Sequence, residues 1–140
     1  MGARYFLASE QHTSALKLSL GSFVFRPCEG LNITMPESND NTFSLIKVSE
    51  QRFLLQSSVN VDQTVQNLGA NKFGFGLTSA TANTSQVFTL VLDQYGKFTI
   101  ELTDSPGKFI LAGTTAADLV SVGPLTHTNR DYFRIKTSCP

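Results

Sequence analysis

Apolar and polar residues follow one another along this chain in short runs that repeat at a fixed distance. Three of the runs carry a phenylalanine in the same phase, Phe43, Phe88 and Phe133, at intervals of 45 residues. The match extends further, since residues 44–58 (SLIKVSEQRFLLQSS) and 89–103 (TLVLDQYGKFTIELT) align without a gap as an apolar run, a polar turn and a second apolar run. A period of this length indicates one structural unit that is built several times.

Strand-like runs recur about every ten residues and are separated by Pro, Gly, Asn and Asp, which is typical of an all-β sandwich or barrel. The best helical candidate, 114–118, is too short and too rich in β-branched residues to predict a helix. The predicted strands are 5–8, 16–20, 22–26, 31–34 and 43–48 in the first unit, 53–57, 64–68, 72–77 and 87–92 in the second, and 98–102, 108–112, 119–122 and 132–136 in the third.

Three units of about four strands each resemble the β-trefoil superfamily, which includes the ricin-B-like lectins and the fascin-like trefoils. Residues 105–112 (SPGKFILA) are similar to the Gly-Lys-Tyr-Leu-x-Ala strand of fascin-like and related trefoils. The resemblance implies an all-β β-trefoil with pseudo-threefold symmetry. In that fold the first and fourth strands of each unit close a six-stranded barrel, and the second and third strands form a hairpin cap. It also implies a shared core layer made of Phe43, Phe88 and Phe133, with Leu45, Leu90 and Ile135 beside them.

The length of the chain predicts a single β-trefoil domain over residues 1–140, with repeats at about 4–49, 50–94 and 95–140. In the first repeat the strand pattern at 4–8 lies about two residues out of register.

The 11 basic and 11 acidic residues balance, which argues against a nucleic-acid partner, because that needs a clustered basic excess. No apolar run approaches the roughly 20 residues that cross a bilayer, so we expect no membrane insertion.

Catalytic and cofactor chemistry have little support in the sequence. His12 and His127 have no nucleophile signature beside them, and the chain contains no HExxH, GxGxxG or Walker motif. Cys28 and Cys139 cannot form a structural zinc site by themselves, and they are interpreted either as free thiols or as one disulfide. Residues 1–10 lack a signal-peptide pattern, so we expect a cytoplasmic protein or a secreted one in its mature form. We therefore predict a protein that is not an enzyme and needs no cofactor or metal.

The clearest functional signal lies at the start of the fourth strand of repeat two. Residues 86–88 (Gln-Val-Phe) resemble the Gln-x-Trp motif of ricin-B-type lectins, with Phe in place of Trp. The resemblance implies a sugar site in which Asp62 lies near the position of the acid and Phe75 near that of the stacking ring. A carboxylate accepts hydrogen bonds from sugar hydroxyls, and an aromatic ring covers the apolar face of a pyranose. We therefore expect a saccharide or glycoprotein ligand at Asp62, Phe75, Ser85 and Gln86.

Repeat three has a partial version of the same arrangement. Its candidate ligand-binding residues are Asp104, Asn129 and Asp131, and no aromatic residue lies at the stacking position between the two acids. Repeat one has Asn41 at the equivalent of Gln86 but no acid at the matching earlier position. With one well-equipped repeat, strong agglutination would require a homo-oligomer, because single shallow sites bind weakly.

Two other classes of function remain open, because a fold alone does not choose among them. A β-trefoil protease inhibitor would present one exposed loop to a protease, and the candidate loops are 27–30, 36–41 and 127–131. A protein–protein interaction module, cytokine-like or cytoskeletal, would use a flat face of the barrel. The neutral charge weighs against a fascin-like actin binder.

Overall fold

The computed structural model describes residues 5–11, 15–19, 22–26, 42–57, 62–78, 84–113 and 120–136. Within these ranges the chain forms twelve β-strands and two three-residue 3-10 turns, Thr84–Gln86 and Asn129–Asp131. The strands are β1 Phe6–Ser9, β2 Ala15–Ser19, β3 Ser22–Arg26, β4 Phe43–Ser49, β5 Arg52–Ser57, β6 Gln63–Gly69, β7 Lys72–Leu77, β8 Phe88–Leu92, β9 Phe98–Leu102, β10 Phe109–Leu111, β11 Ser121–Gly123 and β12 Phe133–Lys136.

Six of the strands form a closed antiparallel barrel. Around it, β1 pairs with β12, β12 with β9, β9 with β8, β8 with β5, and β5 with β4. Tyr5 and Phe43 close the ring through two main-chain hydrogen bonds of 2.9 Å. The other six strands form the hairpins β2–β3, β6–β7 and β10–β11, each attached to one barrel strand. This arrangement is a β-trefoil, and it confirms the predicted fold class.

The apolar residues that set the 45-residue period lie in the core. Phe43, Phe88 and Phe133 are all fully buried at the start of the fourth strand of their repeats. A second set of equivalent residues, Leu7, Leu55 and Ile100, is also fully buried. Burial of a large apolar side chain contributes about 1.5–3 kcal/mol relative to exposure, so these two sets stabilise the barrel substantially.

Two details differ from the sequence predictions. Tyr5 pairs with Phe43 in repeat one, as Phe53 pairs with Phe88 in repeat two. Tyr5 is therefore the equivalent of Phe53, and because it lies 48 residues earlier, β1 is three residues out of the 45-residue period rather than about two. Beside the phenylalanines, Leu90 is buried and Leu45 partly buried, but Ile135 is 39% exposed. Ile135 is therefore not a core residue, since it lies where the barrel opens to solvent.

The hairpin of repeat three is longer than the hairpin of repeat two. Thr64 pairs with Gly76, whereas Phe109, 45 residues after Thr64, pairs with Gly123. Gly123 comes two residues later than the period would place it, and the segment that leads from Gly123 to Phe133 is shorter by two residues. The barrel strands therefore keep their period although the cap does not.

Several predictions fall outside the described residues, namely the strand at 31–34, the loops 27–30 and 36–41, and both cysteines. The single domain over 1–140 also stays a prediction. Among the described residues, no helix is long and apolar enough to cross a membrane.

Candidate functional site

Two hydrogen bonds join the base of the β6–β7 hairpin to the residues around it. The N–H of Thr78 donates to the carbonyl oxygen of Asp62 at 2.8 Å, just outside the strand pairs. The side-chain amide of Gln86 donates to the carbonyl oxygen of Leu77 at 3.0 Å. The entry to β6, the end of β7 and the 3-10 turn before β8 thus meet at the base of the hairpin, which we call the repeat-two site: Asp62, Leu77 and Ser85.

Gln86 supports this site from within the protein. Its side chain is buried, with 4% exposed, and its amide nitrogen also donates to the Thr64 hydroxyl at 3.1 Å. An amide nitrogen carries two hydrogens, and both now have protein acceptors. Gln86 therefore holds Leu77 and β6 in position and has no amide hydrogen left to donate to a ligand.

Phe75 is also engaged by the fold. It lies opposite Val65 in the β6–β7 hairpin and packs against the hydrophobic core. Two residues further on, Leu77 points to the same face of the strand by alternation, but it lies beyond the core and is 73% exposed. Leu77, rather than Phe75, provides open apolar surface at the base of the hairpin. Nothing in the sequence distinguishes Leu77, because an aliphatic residue at a strand end resembles any other strand residue.

The other two predicted residues of repeat two lie at the surface or near it. Asp62 is exposed at the entry to β6. Ser85 is half-buried in the first 3-10 turn, and its hydroxyl accepts a hydrogen bond from the Gln66 side-chain amide at 3.1 Å. An exposed acidic residue and a half-buried hydroxyl therefore lie near the base of the hairpin, where main-chain hydrogen bonds fix the backbone.

In repeat three the equivalent of Gln86 is Asp131, which is only 1% exposed. Its carboxylate accepts hydrogen bonds from the N–H and hydroxyl of Thr126, at 3.0 and 2.7 Å, and from the N–H of His127 at 2.8 Å. Burial raises the pKa of Asp131, but the hydrogen bonds from Thr126 and His127 outweigh burial and leave the pKa below its usual value. Asp131 therefore braces its own loop, as Gln86 does.

The remaining candidates of repeat three have separate environments. Asp104 is exposed, and its two carboxylate oxygens accept from the Asn67 side-chain amide at 3.2 and 3.4 Å. This contact links repeats two and three. Asn129 is exposed in the second 3-10 turn, which is capped by the Thr128 hydroxyl. None of these contacts joins Asp104 to Asp131 or Asn129.

The candidate inhibitor loop at 127–131 has a compact shape. His127 has a positive φ of 60°, and after the N-cap Thr128 the chain enters the 3-10 turn Asn129–Asp131. Arg130 anchors the turn through a hydrogen bond of 2.8 Å from Nε to the carbonyl oxygen of Ala112. Peptides that bind in clefts by strand addition are extended, so the geometry of 127–131 does not favour this loop as the one that enters a protease.

Three concave regions lie elsewhere on the described surface. The largest of the three, of about 390 Å³, lies between repeats two and three and is lined by Ser49, Glu50, Gln51, Arg52, Thr89, Glu101, Leu102, Thr103 and Pro106. A second region, of about 250 Å³, lies on the other side of Leu102 and includes Asn67 and Lys108. The third, of about 180 Å³, is apolar and lies at the open end of the barrel, where Leu92 is 66% exposed. None of the sequence-predicted site residues lines any of the three.

The part of the chain that the structure describes contains no group of three or more His, Cys, Asp or Glu side chains that could hold a metal ion.

The comparison with solved structures supports the fold. The designed threefold-symmetric protein ThreeFoil is 15% identical to this chain with a TM-score of 0.75, and the match covers 95% of this chain and 97% of ThreeFoil. An apo crystal form of the BEL β-trefoil is 14% identical with a TM-score of 0.72, and 96% and 92% of the two chains are covered. A mosquitocidal holotoxin is 9% identical with a TM-score of 0.74, over 99% of this chain and 17% of the toxin.

At these identities the similarity establishes the fold and nothing further. The sequence matches no protein-family model and no curated protein. The chain is therefore a β-trefoil protein, and its function has to be argued from its own residues.

Proposed function

We propose that this protein is a non-enzymatic carbohydrate-binding module, and that it binds a saccharide at the repeat-two site. The observation that carries the proposal is that the base of the β6–β7 hairpin brings an exposed acidic residue, Asp62, within one residue pair of an exposed aliphatic residue, Leu77, while the hydrogen bond from Thr78 to Asp62 joins the two strand ends. A pyranose has hydroxyls on its rim and a C–H face, so it needs both kinds of surface at once.

Each side chain has a defined role in this proposal. The Asp62 carboxylate accepts hydrogen bonds from two neighbouring hydroxyls of the sugar, because an ionised carboxylate has only acceptor sites. Leu77 covers the apolar face of the ring, and the Ser85 hydroxyl provides a further polar contact. Gln86 is a positioning residue, because its buried amide holds the carbonyl of Leu77.

The site is open to solvent on the side of Leu77, so the affinity for one sugar is expected to be low. Repeat three does not offer a second copy, because the position equivalent to Asp62, 45 residues later, is Gly107 and carries no carboxylate. Strong binding to a glycoprotein or a cell surface would then require several copies of the protein, because linked weak sites gain affinity through their effective concentration.

A glycan array tests the proposal directly. The wild type, Asp62→Ala, Leu77→Ser and a surface control, Lys72→Ala, would be compared as fluorescent, pre-clustered proteins. We expect the wild type and Lys72→Ala to bind the same glycans, and the two site variants to lose at least 90% of the signal while keeping the same thermal unfolding temperature. The proposal fails if the wild type binds no glycan, or if Asp62→Ala and Leu77→Ser bind as the wild type does.

A further inference from the structure

We infer that the groove between repeats two and three is a second saccharide-binding site, formed by Gln51, Arg52 and Glu101. This inference rests on the proposed function for its ligand class, but it involves none of the residues of the repeat-two site. The groove, of about 390 Å³, falls within the range of roughly 300–1,000 Å³ that small-molecule sites occupy.

The walls of the groove are held by main-chain hydrogen bonds, one within repeat two and one between repeats two and three. The N–H of Leu90 in β8 donates to the carbonyl oxygen of Gln51 at 2.8 Å, which fixes the β4–β5 turn on one side. On the other side, the Thr103 N–H donates to the Val87 carbonyl oxygen at 3.4 Å. The groups that line the groove are therefore arranged before a ligand arrives, which lowers the entropy cost of binding.

The polar groups of the groove have hydrogen-bonding capacity that the described residues do not use. One Glu101 oxygen, Oε2, accepts from the Gly107 N–H at 2.8 Å, which orients the carboxylate. The other oxygen, Oε1, has no partner among the described residues, and neither has the guanidinium group of Arg52. A carboxylate that accepts and a guanidinium that donates are complementary to hydroxyl groups, which do both.

The remaining lining suits the rest of a sugar. The hydroxyls of Thr89 and Thr103 lie 3.0 Å apart and bond to each other, so one of the two hydrogens remains available to a ligand. Leu102 and Pro106 contribute apolar surface to the same groove. Two acidic residues and one basic residue line the groove, and this balance favours a neutral saccharide over an acidic one.

The backbone of Gln51 supplies an independent observation. Gln51 has a φ of 63°, in the left-handed region that residues with a Cβ rarely adopt. The equivalent turn of the next repeat has Gly96 at this position, 45 residues later, with a φ of 83°. Glycine adopts this conformation without steric conflict. Strained residues cluster at functional sites, and here the residue that carries the strain is one of those that line the groove.

The test is an NMR titration of the ¹⁵N-labelled protein with galactose, mannose, N-acetylglucosamine and lactose at millimolar concentrations. The variants are Gln51→Gly, Arg52→Ala and Asp62→Ala, with Gln94→Gly in the β8–β9 turn as a matched control. We expect at least one sugar to shift the amide signals of Gln51, Arg52 and Thr103. Gln51→Gly and Arg52→Ala should weaken that binding at least tenfold, and Asp62→Ala and Gln94→Gly should leave it unchanged.

Gln51→Gly also separates a binding role from a structural one. Because glycine relieves the backbone strain, this variant should unfold at the same temperature as the wild type or higher while its affinity falls. The inference is overturned if no sugar shifts the groove amides, if Gln51→Gly and Arg52→Ala both bind normally, or if Asp62→Ala abolishes the groove shifts. If a sugar shifts the amide signals of the groove but not those around Asp62, the repeat-two site is overturned and the groove site is supported.

Discussion

Phe98 lies directly opposite Phe133 in the pairing of β9 with β12, and their ring centroids are 6.2 Å apart. One period earlier, Phe53 lies opposite Phe88 in the pairing of β5 with β8. The same cross-strand contact is thus made in repeats two and three. In each it joins the first strand of the repeat to the fourth strand of the same repeat, so the residues that set the sequence period also hold neighbouring barrel strands together.

Truncation of a core phenylalanine should be severe. Phe88→Ala, Phe43→Ala and Phe133→Ala should each lower the free energy of unfolding by about 3–5 kcal/mol, because each leaves a cavity in a closely packed barrel. A domain of this size has only about 5–15 kcal/mol in total, so each variant should be marginal. Urea denaturation measures the loss. Tyr95→Ala, which removes an exposed ring, is the control and should change stability by less than about 0.5 kcal/mol.

Gln86 and Asp62 should respond to substitution in opposite ways. Gln86→Ala removes the donors to Thr64 and Leu77 and should cost about 1–3 kcal/mol, the usual penalty for leaving buried polar groups unpaired. Asp62→Ala alters an exposed side chain and should change stability by less than about 0.5 kcal/mol. Denaturation of both variants measures the change in stability, and the glycan array measures their sugar binding. A stable Gln86→Ala protein would contradict the positioning role.

The Asp131 network should make stability depend on acid pH. The pKa of Asp131 is lower in the folded protein than its usual value, because hydrogen bonds from Thr126 and His127 outweigh the effect of burial. A group of this kind stabilises the fold fully above its unfolded pKa, near pH 4, and loses that contribution as the pH falls through the folded pKa. The stability difference between wild type and Asp131→Asn should therefore be largest at neutral pH and shrink below about pH 4. A difference that stays constant from pH 7 to pH 3 would argue against an ionised Asp131.

Gln51 and Gly96 occupy equivalent positions in the β4–β5 and β8–β9 turns, so adding a side chain at one can be compared with removing it at the other. Gly96→Ala places a Cβ in a left-handed conformation, 3.4 Å from Nη1 of Arg134, and should cost about 1–2 kcal/mol. Gln51→Gly, at the same place in the preceding turn, should be neutral or stabilising. Thermal unfolding of the two variants gives the comparison. If both exchanges destabilise the protein equally, the strain assigned to Gln51 is absent.

Much of the barrel could be read from the sequence, since each barrel strand places an apolar residue at a fixed distance along the chain. Phe43, Phe88 and Phe133 carried that information because a closed six-stranded ring leaves little freedom in strand length. The exposure of Leu77 could not be read in this way, since it depends on where β7 runs past the edge of the core.

The candidate site was harder to predict for a related reason. Gln86 and Asp131 occupy one position of the repeat, and polar residues there suggested ligand contacts. The structure turns both side chains inward, because the main-chain groups around the fourth strand need partners. Whether a polar side chain faces the protein or a ligand depends on contacts between segments far apart in sequence.

The two-residue difference between the β6–β7 and β10–β11 hairpins has a practical consequence. Repeat three lengthens its hairpin and shortens the segment that follows, yet Phe133 still arrives where the barrel requires it. The hairpins and the barrel therefore behave as separate modules of one scaffold. New loops could be grafted onto a single lobe, and selected for a chosen ligand, without redesigning the strands beneath them.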